Sequence, residues 1–389
     1  MTIGAEKITL TLKIDKDLVQ DVTITSDRSA MAARMLEGKS ISEACALTPL
    51  LFSLCGTAQS QAGLQAFEQA LGYIPSAAHK AVRRLLIQAE SMGEHVMRLL
   101  MDWPQLAGLA PDLNTIRDVR NLCGSFKNHL FKDGQNDKVG GAPLGLDLAS
   151  IKNHLVMLRE KLVATIFHIP LADFLKLSSQ NAFNEWCNTS PTLPAQSLTT
   201  WMKQGKIDIN WPELSPPISF KSESLTEILD GGDADSFIAQ PHVNNTPAET
   251  GPIMRQFKHP LITSLNNVTL ARLAARLVDL AALNIQMAKT IEALEEDREL
   301  FHTKAIYKGT GCVEAVRGKL IHRVWLDKET EIIKRYRILA PTEWNFHPHG
   351  ALSKALRRAS IDGLKEKAAL AILALDPCIG YDIQLSEAG

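Results

Sequence analysis

The sequence predicts a mainly α-helical fold with small β elements. Three observations carry that prediction. Helical spacing of apolar residues recurs through much of 27–187 and again from about Thr269 to Leu300. Strand-period alternation is confined to 7–25 and to 304–340. No apolar run approaches the roughly 20 residues that span a bilayer. The longest, Ala368 to Leu375, has eight.

The elements follow in order. Ile8, Leu10, Leu12 and Ile14, then Val19, Val22 and Ile24, alternate on either side of Asp15-Lys16-Asp17, which predicts a hairpin within 1–26. Ser40, with Glu43 at capping-box spacing, opens a helix. Leu50 to Leu71 is apolar on nearly every side, as one buried helix should be. Pro75-Ser76 opens another, to about Leu100, and helical patterns cover 113–132 and 146–167. The stretch 188–266 holds Pro191, Pro194, Pro212, Pro216, Pro217, Pro241, Pro247 and Gly231-Gly232, and reads as an irregular connecting region with short elements. A long helix occupies 267–303 and ends in the solvated charge run Glu295-Glu296-Asp297-Arg298-Glu299. Strands around turns fill 304–340, and a helix covers about Leu352 to Lys367. With no internal repeat, 1–389 reads as one unit.

Composition excludes several classes. A net charge of −1 gives no general attraction to nucleic acid or membrane surfaces. The cysteines at 45, 55, 123, 187, 312 and 378 include no close pair, which argues against a disulfide scaffold and suits a reducing compartment. Met-Thr-Ile-Gly-Ala-Glu-Lys lacks the regions of a signal peptide, so the expected location is cytoplasmic. Gly140-Gly141-Ala142-Pro143 lacks the spacing and lysine of a phosphate loop. Read alone, Cys55 is a buried thiol on an apolar helix and Cys378 a turn residue. Cys45, Cys123, Cys187 and Cys312 read as structural. Gly309 to Gly311 suggests an exposed loop that would make Cys312 redox-sensitive. His347 and His349 suit a metal pair or plain surface histidines.

A second layer comes from ordered motifs. These are Arg34-Met35-Leu36-Glu37-Gly38-Lys39, Cys55-Gly56, Glu94-His95, Glu249-Thr250-Gly251-Pro252 with Arg255, and Glu314-Ala315-Val316-Arg317-Gly318-Lys319-Leu320-Ile321-His322. Pro341-Thr342-Glu343-Trp344-Asn345 and Asp376-Pro377-Cys378 complete the series. Together they resemble nickel–iron hydrogenase large subunits. The resemblance implies a truncated large-subunit-like fold in which the two cysteine ends meet.

The departures matter as much. The family has a Cys-x-x-Cys at each end, and the second positions here hold Ala58 and Tyr381. Family histidines fall on Ala62 and Gln384, and the family's Pro-Arg-Asp becomes Pro348-His349-Gly350. A proton-relaying glutamate aligns with Ala5, one position from Glu6. The chain stops five residues after Gln384, with no cleavable extension expected.

This pattern resembles hydrogenase maturation proteins of the HupK/HoxV type. That resemblance implies a non-enzymatic scaffold that takes up and transfers an iron dicyanide–carbonyl unit, with no nickel expected. The implied ligands are Cys55 and Cys378, supported by Arg317, Asp376 and Glu94. In the enzymes the missing cysteines bridge the metals and hold the iron, whereas the retained pair binds nickel alone. The implied partners are a HypC-type chaperone with its iron-loading partner and the hydrogenase large subunit, with no nucleic acid or membrane. Two alternatives stand beside it: a metal-free structural or assembly paralogue, and a residual enzyme, against which the missing bridging thiols argue.

Overall fold

A computed structural model describes residues 7–26, 31–52, 54–217, 222–294 and 299–387. The Ala5-Glu6 alignment and most of the 295–299 charge run lie outside the described residues. Strands β1 (Lys7–Asp15) and β2 (Leu18–Ser26) form the expected hairpin, with Lys16 left-handed at its turn. Helix α1 (Ile41–Leu51) starts at Ser40, whose hydroxyl accepts the Glu43 N–H while the Glu43 carboxylate accepts the Ser40 N–H. There follow α2 (Gly56–Leu71), α3 (Ala77–Met97), α4 (Leu113–Leu130), α5 (Leu148–Leu162), α6 (Leu193–Lys203) and α7 (Val268–Glu292). Strands β3 (Lys308–Ala315), β4 (Gly318–Leu326) and β5 (Ile333–Leu339) form an antiparallel meander. Helices α8 (Ala351–Leu356) and α9 (Leu364–Leu375) lead to β6 (Gly380–Glu387).

The main core lies among α3, α4, α5 and α7, where Val82, Leu85, Val119, Phe126, Leu158 and Leu277 meet. Helix α7 is buried around nearly its whole circumference, as its weak polar face requires. A second core lies under the first sheet. Strand β6 pairs parallel with β1, Lys7 opposite Gly380, giving the order β6-β1-β2. Ile8, Leu10, Leu12 and Val22 pack there against Leu352, Leu356, Ala368 and Ile372 of α8 and α9. Among the described residues, no helix is long and apolar enough to cross a membrane.

Several expectations are corrected. Leu50 to Leu71 is two helices rather than one, the first ending at Leu51 and the second starting at Gly56, and Leu50 is largely exposed. Pro49 in the last turn of α1 has no N–H to continue the ladder, and Gly56 packs directly on it. Leu352 to Lys367 is likewise broken. Between α8 and α9 the backbone turns to β2: Arg358 N–H donates to Val19, and Val19 N–H donates to Ala359. Part of the proline-rich region is helical, because Pro194 sits in the first turn of α6, where its missing N–H costs nothing. The long helix ends at Glu292, short of Leu300.

Gly309 and Gly311 do not mark a loop. They belong to β3 and let it lie on α2, since a Cβ on Gly311 would stand 1.9 Å from the Ala62 carbonyl oxygen. Because that neighbour is helix backbone, Gly311→Ala is expected to lower the unfolding free energy by roughly 2–3 kcal/mol. Gly232→Ala, with nothing near its Cβ, should change it by less than about 0.5 kcal/mol. Equal urea midpoints for the two variants would refute this account of the β3–α2 contact.

Candidate metal-binding site

Cys55 occupies the cap position of α2, with non-helical φ −132° and ψ 33°. Its side chain does not cap the helix. Glu90 of α3 does so instead, its carboxylate accepting the N–H groups of Thr57 at 2.6 Å and Ala58 at 3.0 Å. Burial pushes the Glu90 carboxyl up to about 7, against the pull of those two donors. The start of α2 therefore makes no demand on the thiol.

Cys378 follows the end of α9. Asp376 closes that helix in the left-handed region, φ 56° and ψ 78°, and turns the chain inward. Its buried carboxylate meets three guanidiniums: Arg98 Nε at 2.7 Å, Arg276 Nη1 at 3.0 Å and Arg317 Nε at 3.3 Å. Burial opposes its charge, but Arg276, Arg317 and Arg98 outweigh that and hold the carboxyl well below the usual range. Arg98 also donates to the Pro377 carbonyl at 3.1 Å. Arg98 begins a π-helical turn, Arg98–Asp102, that extends α3.

Arg317 sits at the turn between β3 and β4. Its Nη2 donates to Glu94 at 3.1 Å. Burial works against its charge, yet Asp376, Glu94 and the two cysteines raise its pKa further above the ordinary arginine value. The motif segments converge on this turn. Thr250 donates its N–H to Asn345 Oδ1 and accepts the Lys319 N–H on its hydroxyl. Arg255 grips the Ala315 and Val316 carbonyls.

Cys55, Cys378 and Arg317 line one cavity, together with Gln59, Thr342 and Leu320. Its volume is about 10 Å³, room for one water molecule. Thr342 Oγ1 lies 3.0 Å from Cys378 Sγ. Arg317 Nη1 is buried and has no hydrogen-bond partner among the described residues. The structure thus brings all five expected residues together: two thiols and Arg317 at the cavity, with Asp376 and Glu94 holding the arginine.

Sequence reading missed Arg98, Arg276, Gln59, Thr342 and Glu90. Three were detectable in principle. Arg98 lies one helical turn after Glu94, and Gln59 one turn after Cys55. Arg272, Arg276 and Asp279 interrupt an apolar helix at helical spacing, itself a sign of buried charge. Ala62 lies beneath Gly311, and Gln384 is exposed on β6. Burial pushes the thiols of Cys45, Cys123 and Cys187 up to about 12, which fits structural roles. Cys312 is exposed, though on a strand. His347 is buried rather than on the surface, and its Nδ1 accepts the His349 N–H at 3.0 Å. Among the described residues no three His, Cys, Asp or Glu side chains are grouped to hold a metal ion.

The fold has known counterparts. The chain superposes on the [NiFeSe] hydrogenase of Desulfomicrobium baculatum in its reduced, active form with a TM-score of 0.69 at 15% identity, covering 94% of this chain and 95% of that one. The Ni-Fe-Se hydrogenase of Desulfovibrio vulgaris Hildenborough gives 0.64 at 16% identity, with 94% of each chain covered. The nickel-dependent hydrogenase family profile matches residues 258–380. The architecture is therefore that of a hydrogenase large subunit, mainly helical with small sheets.

Sequence relatives narrow this. The hydrogenase expression/formation protein HoxV of Cupriavidus necator is 27% identical over 376 residues, 94% of this chain and 93% of its own. HupK of Azotobacter vinelandii is 27% identical over 369 residues, covering 92% and 91%. HupK of Bradyrhizobium diazoefficiens is 25% identical over 391 residues, 98% of each. The chain is a relative of the HupK and HoxV hydrogenase expression/formation proteins, as its motifs implied.

Two predictions follow from the buried charges. Asp376→Asn removes the charge that balances three arginines and should destabilise the fold by roughly 3–5 kcal/mol in chemical denaturation; an unchanged midpoint would refute the account. His95 Nδ1 accepts from Arg276 and its Nε2 donates to Asp279 at 3.0 Å, so the ring is neutral. Burial pushes its pKa down to about 4, despite the opposing effect of Asp279. Between the usual histidine value near 6.5 and about 4, the unfolded chain binds more protons, so stability falls as pH falls through that window. His95→Gln should flatten that slope, and an equally steep slope in the variant would contradict it.

Proposed function

We propose that the chain is a hydrogenase maturation scaffold. It binds an iron dicyanide–carbonyl unit through Cys55 and Cys378 and passes it to the large subunit of a nickel–iron hydrogenase. One observation carries this reading: two thiols from opposite ends of the chain line one cavity with Arg317, whose buried Nη1 has no partner among the described residues. Thiolate sulfur is a soft donor suited to iron. A cyanide nitrogen is an acceptor for a guanidinium N–H, and the bond is charge-assisted. The iron unit brings its own diatomic ligands, so two protein sulfurs suffice to hold it.

Ala58 and Tyr381 stand where the family's bridging cysteines would be. Fewer protein bonds favour release, which a carrier needs and an enzyme does not. We therefore read the chain as non-catalytic and nickel-free. Its partners on this reading are a HypC-type chaperone with its iron-loading partner and the hydrogenase large subunit. The names of its relatives, hydrogenase expression/formation proteins, support a maturation role.

A metal-free assembly paralogue is the second reading, and the cavity volume of about 10 Å³ favours it. An iron atom with three diatomic ligands enters only if the Cys55 turn and the Cys378 segment separate.

Infrared spectroscopy with iron and nickel analysis decides between them, on protein purified anaerobically from cells with active maturation proteins. The scaffold gives cyanide and carbonyl bands with iron and no nickel, lost in Cys55→Ala and Cys378→Ala. No bands and no iron in the unaltered protein would leave the metal-free reading.

A further inference from the structure

A buried chain of hydrogen bonds leads away from Cys55. Gln59 Nε2 lies 3.6 Å from Cys55 Sγ. Gln59 Oε1 lies 2.7 Å from His322 Nε2, and His322 Nδ1 lies 2.7 Å from the Tyr336 hydroxyl. The relative exposures of Gln59, His322 and Tyr336 are 1%, 0% and 2%, so bulk water does not take part.

Local structure assembles this chain. Gln59 stands one turn after Cys55 in α2. His322 pairs with Ile338 across β4 and β5, which makes Tyr336 its diagonal neighbour. Gly63 provides the space: a Cβ there would lie 2.7 Å from the Tyr336 hydroxyl and 3.4 Å from His322 Nδ1.

Amide orientation and imidazole tautomer follow from the network. The Tyr336 hydroxyl has His322 as its only hydrogen-bond partner among the described residues. A buried hydroxyl hydrogen without an acceptor costs roughly 1–3 kcal/mol. Tyr336 therefore donates to His322 Nδ1. That nitrogen is bare, so Nε2 carries the ring hydrogen and donates to Gln59 Oε1. The amide nitrogen of Gln59 then faces Cys55 and donates to its sulfur. The reverse polarity would leave the tyrosine hydrogen stranded.

We infer that Tyr336, His322 and Gln59 are positioning residues that deliver one N–H donor to the Cys55 sulfur and preset it as an acceptor. A metal-bound thiolate is such an acceptor. Thr342 Oγ1, 3.0 Å from Cys378 Sγ, places a hydroxyl within hydrogen-bond range of the other sulfur. The inference rests on Cys55 being a ligand of the iron unit. What it adds is that the electron donation of this sulfur is trimmed by residues that are not ligands of the iron.

Two measurements on the full chain separate the failure of this inference from failure of the proposed function. In metal-free protein, nitrogen-15 spectra of the histidine rings, assigned with His322→Gln, should show His322 neutral with its hydrogen on Nε2. The Nδ1 signal should move in Tyr336→Phe. A hydrogen on Nδ1 would overturn the inference whether or not the protein carries iron. In loaded protein, Gln59→Met keeps side-chain length and removes the donor. Its carbonyl and cyanide bands should move to lower wavenumber, because the relieved sulfur pushes more charge onto iron. Tyr336→Phe should move them the same way by less. Unmoved bands in Gln59→Met, with the unaltered protein loaded, would overturn the inference and leave the scaffold standing. Absence of bands in the unaltered protein would sink the proposed function, and the inference with it.

Discussion

The Asp376 carboxylate is the constraint on which the rest of the site depends. Arg98 comes from the extension of α3, Arg276 from α7 and Arg317 from the β3–β4 turn. Each guanidinium is unfavourable where it lies unless charge is supplied to it. One carboxylate, at the end of α9, supplies it to all three. Glu94 and Asp102 complete the balance on Arg317 and Arg98. Wherever Asp376 goes, the next two residues follow, so an electrostatic requirement of the core decides where Cys378 sits.

That requirement explains which parts of the site could be read from sequence. Cys55, Cys378, Arg317, Asp376 and Glu94 sit in ordered motifs and were legible there. For Arg276 the apolar helix around it signals a buried charge, but its partner lies 100 residues away and nothing local announces the pairing. Gln59 stands one turn after Cys55 and His322 ends one of the motifs, yet nothing local announces their pairing across 263 residues. For the fold, local chemistry was the reliable guide. The Ser40–Glu43 capping box and the Ser76 cap stand where the sequence put them. Periodicity failed where tertiary contacts took over the backbone. Residues 357–361 have apolar spacing that continues a helix, but their backbone groups bond to Asp17 and Val19. Gly309 and Gly311 have the composition of a loop, yet they serve a strand that needs no side chains where it meets α2.

The large-subunit architecture persists here without the bridging thiols of the enzymes. The Ala58 N–H is held by Glu90, although no sulfur stands at that position. The polar surroundings of the cavity are more elaborate than two structural cysteines require. Arginine, threonine and glutamine all approach a space of about 10 Å³. Such groups rigidify a small site and define its orientation. They also mean that enlargement is not a matter of moving side chains alone, since Cys378 is fixed through Asp376 and Pro377 to three arginines.

The parallel pairing of β6 with β1 has a consequence for the order of events during synthesis. Lys7 lies opposite Gly380, so the first described strand waits for the last before its sheet is complete. Elements emerge from the ribosome in sequence, and early ones fold first. Until β6 has been made β1 therefore has one neighbour, and Arg98, Arg276 and Arg317, each made before Asp376, wait for their shared counter-charge. The two thiols come together only after Cys378 has been made. A nascent chain that ends before Cys378 lacks one wall of the Cys55 cavity, and the finished chain closes it. The interval between those states is set by translation and docking of the C-terminal strand.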